Sequence, residues 1–161
     1  PELTIVTQNV DGLHREAGSQ KVIELHGNIM ASHCFDHCHH YEPELSAAEF
    51  WNLTEPPTCD NCGSLVRPTV VWFGESLPEK ALDNAWQLVT QADLVLSIGT
   101  STLVQPAASL PFEALSLGIP VVEINPHVTP LSEQATFTIQ GRSGEVLPAL
   151  VRALNRIKKL K

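Results

Sequence analysis

The chain has 161 residues, of which 43% are hydrophobic and 17% charged, a balance that suits one folded domain with a real core and argues against disorder. A formal net charge of -8 offers no surface for direct nucleic-acid or anionic-membrane binding, and no apolar run approaches the ~20 residues of a membrane span. The chain opens on "PELTIV" with no signal-peptide pattern, so a cytoplasmic protein is expected, and its four cysteines are read as metal ligands rather than disulfides.

In chain order, "LTIV" at residues 3–6 predicts a short buried strand, and residues 10–17 a brief helix closed by Gly18. "KVIEL" predicts a second strand ending at His26 and Gly27. Residues 28–68 break this rhythm, holding all four cysteines, four histidines and two adjacent prolines. Within them Ser46, with Glu49 three places on, is a capping-box signature for a short helix at "SAAEFW". Alternation then returns. Leu82, Ala85, Trp86 and Val89 mark an amphipathic helix, and "DLVLSIG" an apolar strand of the parallel-sheet kind. "PAASLPFEALSLG" predicts a helix stopped by Gly118 and either kinked or begun afresh at Pro111. "IPVVEIN" and "TFTI" predict two more strands, and Val146, Leu147, Leu150, Val151 and Leu154 the apolar face of a last helix. The expected fold is α/β: a Rossmann-like parallel sheet with helices on both faces, built from residues 1–27 and 69–161, with a small zinc-binding module inserted at 28–68.

Ligands of open parallel sheets bind beyond the carboxyl ends of the strands. Here those ends carry Gln8-Asn9-Val10-Asp11, His26-Gly27, Gly99-Thr100-Ser101 and Asn125. Any one of these groups is explained as well by turn chemistry. All four together point to a crevice lined by amides, a carboxylate, an imidazole and close-approaching backbone.

The cysteines give an independent signal. Cys59 and Cys62 in "CDNCG" form a C-x2-C knuckle, Cys34 and Cys38 in "HCFDHCHH" a looser C-x3-C pair, and 20 residues separate Cys38 from Cys59. Two such pairs read as a tetrahedral zinc site, and four thiolates would leave no open coordination position, making the metal structural. His33, His37, His39 and His40 crowd the first pair, so Cys34 with His37 is an alternative C-x2-H arrangement.

"TQNVDGLH", "ELHG", the two cysteine pairs, "VVWFGE", "SIGTS" and "EINP" occur in the order found in the sirtuins, the NAD-dependent protein-lysine deacylases, and the chain resembles that family from Thr7 to about Leu150. "RPTVVWFGE" is most similar to the bacterial and desuccinylase-type branches. Two departures stand out. The first cysteine pair has three intervening residues where two are usual, and the family's opening strand with its glycine-rich, pyrophosphate-covering loop has no counterpart among these residues. The expectation is that these 161 residues by themselves bind NAD weakly and turn over no acyl-lysine.

The resemblance implies NAD as cofactor, Zn2+ as structural metal and acyl-lysine proteins or peptides as substrates. It makes His26 the general base toward the NAD ribose, with Asn9 beside the reacting centre, Asp11 on the nicotinamide carboxamide and Gln8 and Val10 completing that wall. Gly99, Thr100 and Ser101 would line the dinucleotide crevice, Asn125 would bond the adenosine ribose, Pro126 and His127 would lie near the adenosine end, and Ser143 by the adenine. Val70, Val71, Trp72, Phe73 and Gly74 would offer one edge to an extended substrate peptide, and Thr102, Leu103 and Val104 the other. Trp72 and Phe73 read equally well as core side chains. Other classes compatible with the residues are an NADase or ADP-ribosyl transferase, and a non-catalytic zinc-stabilised binding module. His14 reads as helix surface.

Overall fold

The computed structural model describes residues 2–38 and 52–159, and the chain divides into two units, Pro1–Leu82 and Asp83–Lys161. Ser46 and Glu49, with the helix expected at "SAAEFW", and His39 and His40 lie outside the described residues.

In the first unit, β-branched residues start β1, Ile5–Thr7, and the chain returns through α1, Leu13–Glu16, to β2, Val22–Glu24. The two strands pair in parallel, Ile5 opposite Val22 and Thr7 opposite Glu24. Gly18, at φ +91°, ends the helical turn where a side chain would resist that backbone, as its position in the sequence suggested. After β2 the chain reverses at Leu25 and His26 into β3, Gly27–Cys34, which runs antiparallel to β4, Val66–Val70. This ribbon was not expected. "GNIMASHC" has no clean alternation, and an irregularity between Asn28 and Ser32 interrupts its register.

Helix α2, Glu79–Thr90, carries the chain into the second unit and buries Ala85 and Val89, two members of its expected apolar face. There β5, Val95–Ile98, β6, Val121–Asn125, and β7, Phe137–Gln140, form a parallel sheet in that order. β6 is central, and Val121 and Ile124 are fully buried, each worth roughly 1.5–3 kcal/mol of hydrophobic stabilisation. β5 is an edge strand in this sheet and leaves Leu96 and Ile98 partly exposed, less buried than its apolar sequence implied. Pro111 restarts the segment after β5: a 3-10 turn at Ala107–Ser109 gives way to α3, Leu110–Ser116, with the proline in its first turn and Gly118 beyond its end. The last helix, α4, Ser143–Lys158, buries none of its residues, and the expected face members Val151 and Leu154 are exposed. Both units therefore carry parallel strands joined through helices, the α/β arrangement the sequence predicted.

Candidate functional site

The residues after β1 are held by local turns. Thr7 is buried and its hydroxyl accepts the Asn9 amide at 3.0 Å, Val10 O accepts the Ile29 amide at 2.8 Å, and Asp11 Oδ1 accepts the Leu13 amide at 3.0 Å. Asp11 thus has the turn role that its residue type allows, and it also stands exposed together with Asn9, while Gln8 and Val10 are half-buried.

His26 lies at the reversal between β2 and β3. Its ring is half-buried, its Nδ1 is buried with no hydrogen-bond partner among the described residues, and burial pushes its pKa below the ordinary 6.5. The imidazole is therefore neutral at pH 7 and able to accept a proton. The next residue fixes its setting: Gly27 has φ +79°, and a Cβ there would sit 2.0 Å from Thr69 O on β4. Only glycine lets the strands approach so closely. On the other side Glu24 accepts Asn28 Nδ2 at 2.8 Å and faces Arg15 Nε at 3.5 Å, while Arg15 Nη2 donates to Val22 O. Sequence reasoning passed over these three residues because their contacts cross element boundaries.

The segment Val70–Gly74 leaves β4 beside His26, with the Val71 amide donating to His26 O at 3.0 Å. Trp72 is exposed and Phe73 entirely so, at 103%, which removes the core alternative for both side chains. Beneath them lies an ion pair that the sequence reading also missed, between buried Arg67 and Glu75.

Cys34 ends β3 and Cys38 follows a turn in which the His37 amide donates to Cys34 O. Cys59 and Cys62 sit on a knuckle closed by Gly63 N to Cys59 O and Cys59 N to Ser64 O, both 2.7 Å. The four Sγ atoms lie within 4.8 Å of one another, with neighbouring sulfurs 3.3–3.5 Å apart. A tetrahedron with Zn–S bonds of ~2.3 Å has edges of roughly 3.8 Å, so the cluster fits a zinc ion after opening by a few tenths of an ångström. His37 is not in the cluster; its ring stacks on His33, centroids 4.8 Å apart. The charges also ask for a cation. The Cys38 amide, ahead of other groups, draws Cys34 down to about 7. On Cys62 the Ser64 amide pulls down, but the Cys38 and Cys34 sulfurs and burial outweigh it and push the group up to about 12. Four thiolates at this spacing need a compensating charge.

In the second unit, Gly99 follows β5 at φ +65° with nothing within 4 Å of where a Cβ would be, so its face is open to a ligand. Thr100 and Ser101 close the turn: the Thr102 amide donates to Thr100 Oγ1 at 3.3 Å and the Leu103 amide to Ser101 Oγ at 3.4 Å. Thr102 is buried at φ +54°, a strained setting for a β-branched residue and one that gathers at functional loops. Leu103 and Val104 follow, exposed. Asn125, at the end of β6, ties this turn to its own loop, donating from Nδ2 to Thr100 O at 2.8 Å and accepting the His127 amide on Oδ1 at 3.1 Å. Pro126 and His127 are exposed, and Ser143 opens α4, two residues after Gly141, whose amide donates to Asn125 O at 3.1 Å. One residue the sequence reading passed over supports this loop: Glu123, fully buried, accepts the hydroxyls of Thr129 and of Ser132, the latter at 2.5 Å. An acid in the apolar run "VVEIN" was its only signal.

The sequence profile of the Sir2 family matches residues 1–106. An NAD-dependent protein deacylase of Pyrococcus furiosus is 49% identical over 156 residues, covering 96% of this chain and 62% of its own length. Among solved structures, a Sir2 homologue in complex with NAD superposes with a TM-score of 0.88 at 45% identity, over 96% of this chain and 59% of that one. Sir2Tm bound to a propionylated peptide gives 0.85 at 37% identity, over 94% of this chain and 64% of that one. The chain thus spans about three fifths of the length of these relatives. From the profile, the identities and the shared fold, the chain belongs to the Sir2 family, the sirtuins whose motifs it carries.

Proposed function

We propose that the protein removes acyl groups from protein lysines in an NAD-dependent reaction, giving nicotinamide and O-acyl-ADP-ribose. The observation that supports this best is His26: a neutral, half-buried imidazole whose own carbonyl is bonded to the Val70–Gly74 edge. NAD, when bound, would supply an activated anomeric carbon that bonds to the acyl oxygen as its glycosidic bond to nicotinamide breaks. His26 accepts a proton from a ribose hydroxyl at a ring nitrogen, which burial keeps unprotonated. Asn9 and Asp11, exposed beside half-buried Gln8 and Val10, offer amide and carboxylate partners to the nicotinamide end. Gly99, Thr100, Ser101, Asn125, Pro126, His127 and Ser143 take the rest of the dinucleotide. The Val70–Gly74 backbone takes one side of an extended acyl-lysine peptide, and the family resemblance assigns the other to Thr102–Val104, of which Leu103 and Val104 are exposed.

Cys34, Cys38, Cys59 and Cys62 hold one structural Zn2+, which anchors residues 28–68 as a module within the Rossmann-like domain of 1–27 and 69–161. Among the described residues no helix is long and apolar enough to cross a membrane. A cytoplasmic location accords with cysteines grouped as metal ligands.

Mass spectrometry of a reaction with NAD and an acetyl-lysine peptide, run on a version that also carries the family's glycine-rich segment, is the test. O-acetyl-ADP-ribose appearing in step with free lysine supports the proposal. ADP-ribose without the acyl group would replace it with an NADase, and binding of neither NAD nor peptide would leave a zinc-stabilised module.

A further inference from the structure

We propose that Arg67 and Glu75 are positioning residues for the acyl-lysine substrate, locking the Val70–Gly74 edge into the shape on which an extended peptide pairs. The inference rests on the deacylase reading of that edge.

Arg67 sits on β4 in "LVRPTVV", a place where an apolar residue would serve the fold, and it is only 8% exposed. Burying a guanidinium is costly unless it is paired and well bonded. Here the pairing is bidentate: Nη1 lies 2.6 Å from Glu75 Oε1 and Nη2 3.0 Å from Glu75 Oε2. Nη2 also donates to Val70 O at 2.6 Å, and the guanidinium carbon lies 3.7 Å from the centre of the Trp72 ring. Glu75 completes the circuit, accepting the Trp72 amide on Oε2 at 2.9 Å, while its own amide donates to Trp72 O at 3.0 Å.

One ion pair therefore fixes the carbonyl of Val70 and the amide of Trp72, while the Trp72 carbonyl is held by the Glu75 main chain. Val71, between them, is fixed separately by His26 O. Every residue of the edge up to Trp72 is set before a ligand arrives, and Phe73 is presented fully exposed. A peptide that adds itself as a strand gains most of its affinity from main-chain hydrogen bonds, so an edge already held in shape loses less entropy on binding. The strength of the clamp shows in Glu75, whose carboxyl the Arg67 guanidinium holds down to about 2. Lysine cannot replace Arg67, because a single ammonium cannot make the planar fork or stack flat on Trp72.

The test compares the parent chain with Glu75→Gln and Arg67→Lys, loaded with zinc. Affinities for an acetyl-lysine peptide and for NAD are measured by calorimetry, and hydrogen exchange is followed at the Trp72 amide. The expected result is peptide binding weakened about tenfold or more in both variants, the range for losing hydrogen bonds to a charged group, with faster Trp72 exchange. NAD affinity and zinc content stay at the parent's values, which a general loss of folding would not allow. Variants that bind peptide as the parent does, or an unchanged Trp72 exchange rate, overturn the positioning role alone. A parent chain that binds NAD and no acyl-lysine peptide overturns the deacylase reading of the edge, and the positioning role with it.

Discussion

The amide of Val71 donates to the carbonyl of His26 across 3.0 Å, so the imidazole assigned to proton transfer and the edge assigned to the peptide are neighbours through the main chain. Movement of one is felt by the other without any side chain between them. The position of His26 is further constrained by Gly27, which admits no side chain against Thr69 O.

The first prediction concerns that imidazole. In a version that also carries the family's N-terminal glycine-rich segment, His26→Ala should lower deacylation by ~100- to 10,000-fold, the usual cost of removing a general base, with zinc content and fold retained. In the parent chain the His26 ring should titrate below 6.5, because burial disfavours the charged form, and the acid limb of the activity profile should fall below 6.5 as well. The same shift has a sign for stability. The folded-state pKa is below the unfolded one, so the contribution is present above pH 6.5 and is lost as pH falls through the folded value. An NMR titration of the ring with a midpoint above 6.5, or turnover by His26→Ala close to the parent's, would count against the assignment.

Gly27→Ala should be far more damaging than Gly18→Ala. Both glycines have positive φ, and that alone costs ~1–3 kcal/mol for an alanine. At Gly18 nothing lies within 4 Å of the added carbon, whereas at Gly27 it meets Thr69 O at 2.0 Å and forces β3 away from β4. Urea denaturation of the two variants gives the comparison. Equal midpoints would mean that the ribbon relaxes freely, and the rigid setting of His26 would be wrong.

Legibility in the sequence followed the range of the interaction. β1, α1 and β2 were readable because an apolar run, a short polar stretch and Gly18 act locally. Pro111 at the start of α3 was readable for the same reason. The ribbon of β3 and β4 was not, since "GNIMASHC" becomes a strand by pairing with residues some 35 positions on, Cys34 against Val66 and His33 against Arg67. Arg67 was hidden similarly: its acid lies eight residues away, outside any helical or strand spacing. The stripe of α4 says that Val151 and Leu154 share a face, and says nothing of what lies opposite them. The cysteines were legible as pairs, and the structure brings Cys38 rather than His37 to the other three sulfurs.

That cluster gives the third prediction. The chain should carry one zinc per molecule by metal analysis, and Cys38→Ser should lower the occupancy while His37→Ala leaves it intact, because His37 faces His33 instead. A strong chelator should disorder the residues around Cys34 and Cys59, which with Val66 form the small buried cluster of this region. The ends of β3 and β4 would loosen with them. Full zinc in Cys38→Ser together with loss in His37→Ala would reverse the ligand assignment.

The last prediction separates what Asn125 does for the fold from what it does for a ligand. Its side chain is buried, and both of its polar atoms are engaged by the protein, Nδ2 with Thr100 O and Oδ1 with the His127 amide. Asn125→Ala removes both bonds, at ~0.5–1.5 kcal/mol each, which for a chain of this size lowers Tm by roughly 2–12 °C. Asn125→Asp keeps the acceptor for His127 but turns a carboxylate oxygen toward the Thr100 carbonyl. It should therefore melt no higher than the alanine variant, despite its closer shape. The loops tied together are those assigned to the dinucleotide, so both variants should weaken NAD binding while leaving zinc content unchanged. Thermal melts and parallel titrations decide it. An Asn125→Asp variant as stable as the parent would show that the bond to Thr100 O contributes nothing to the fold.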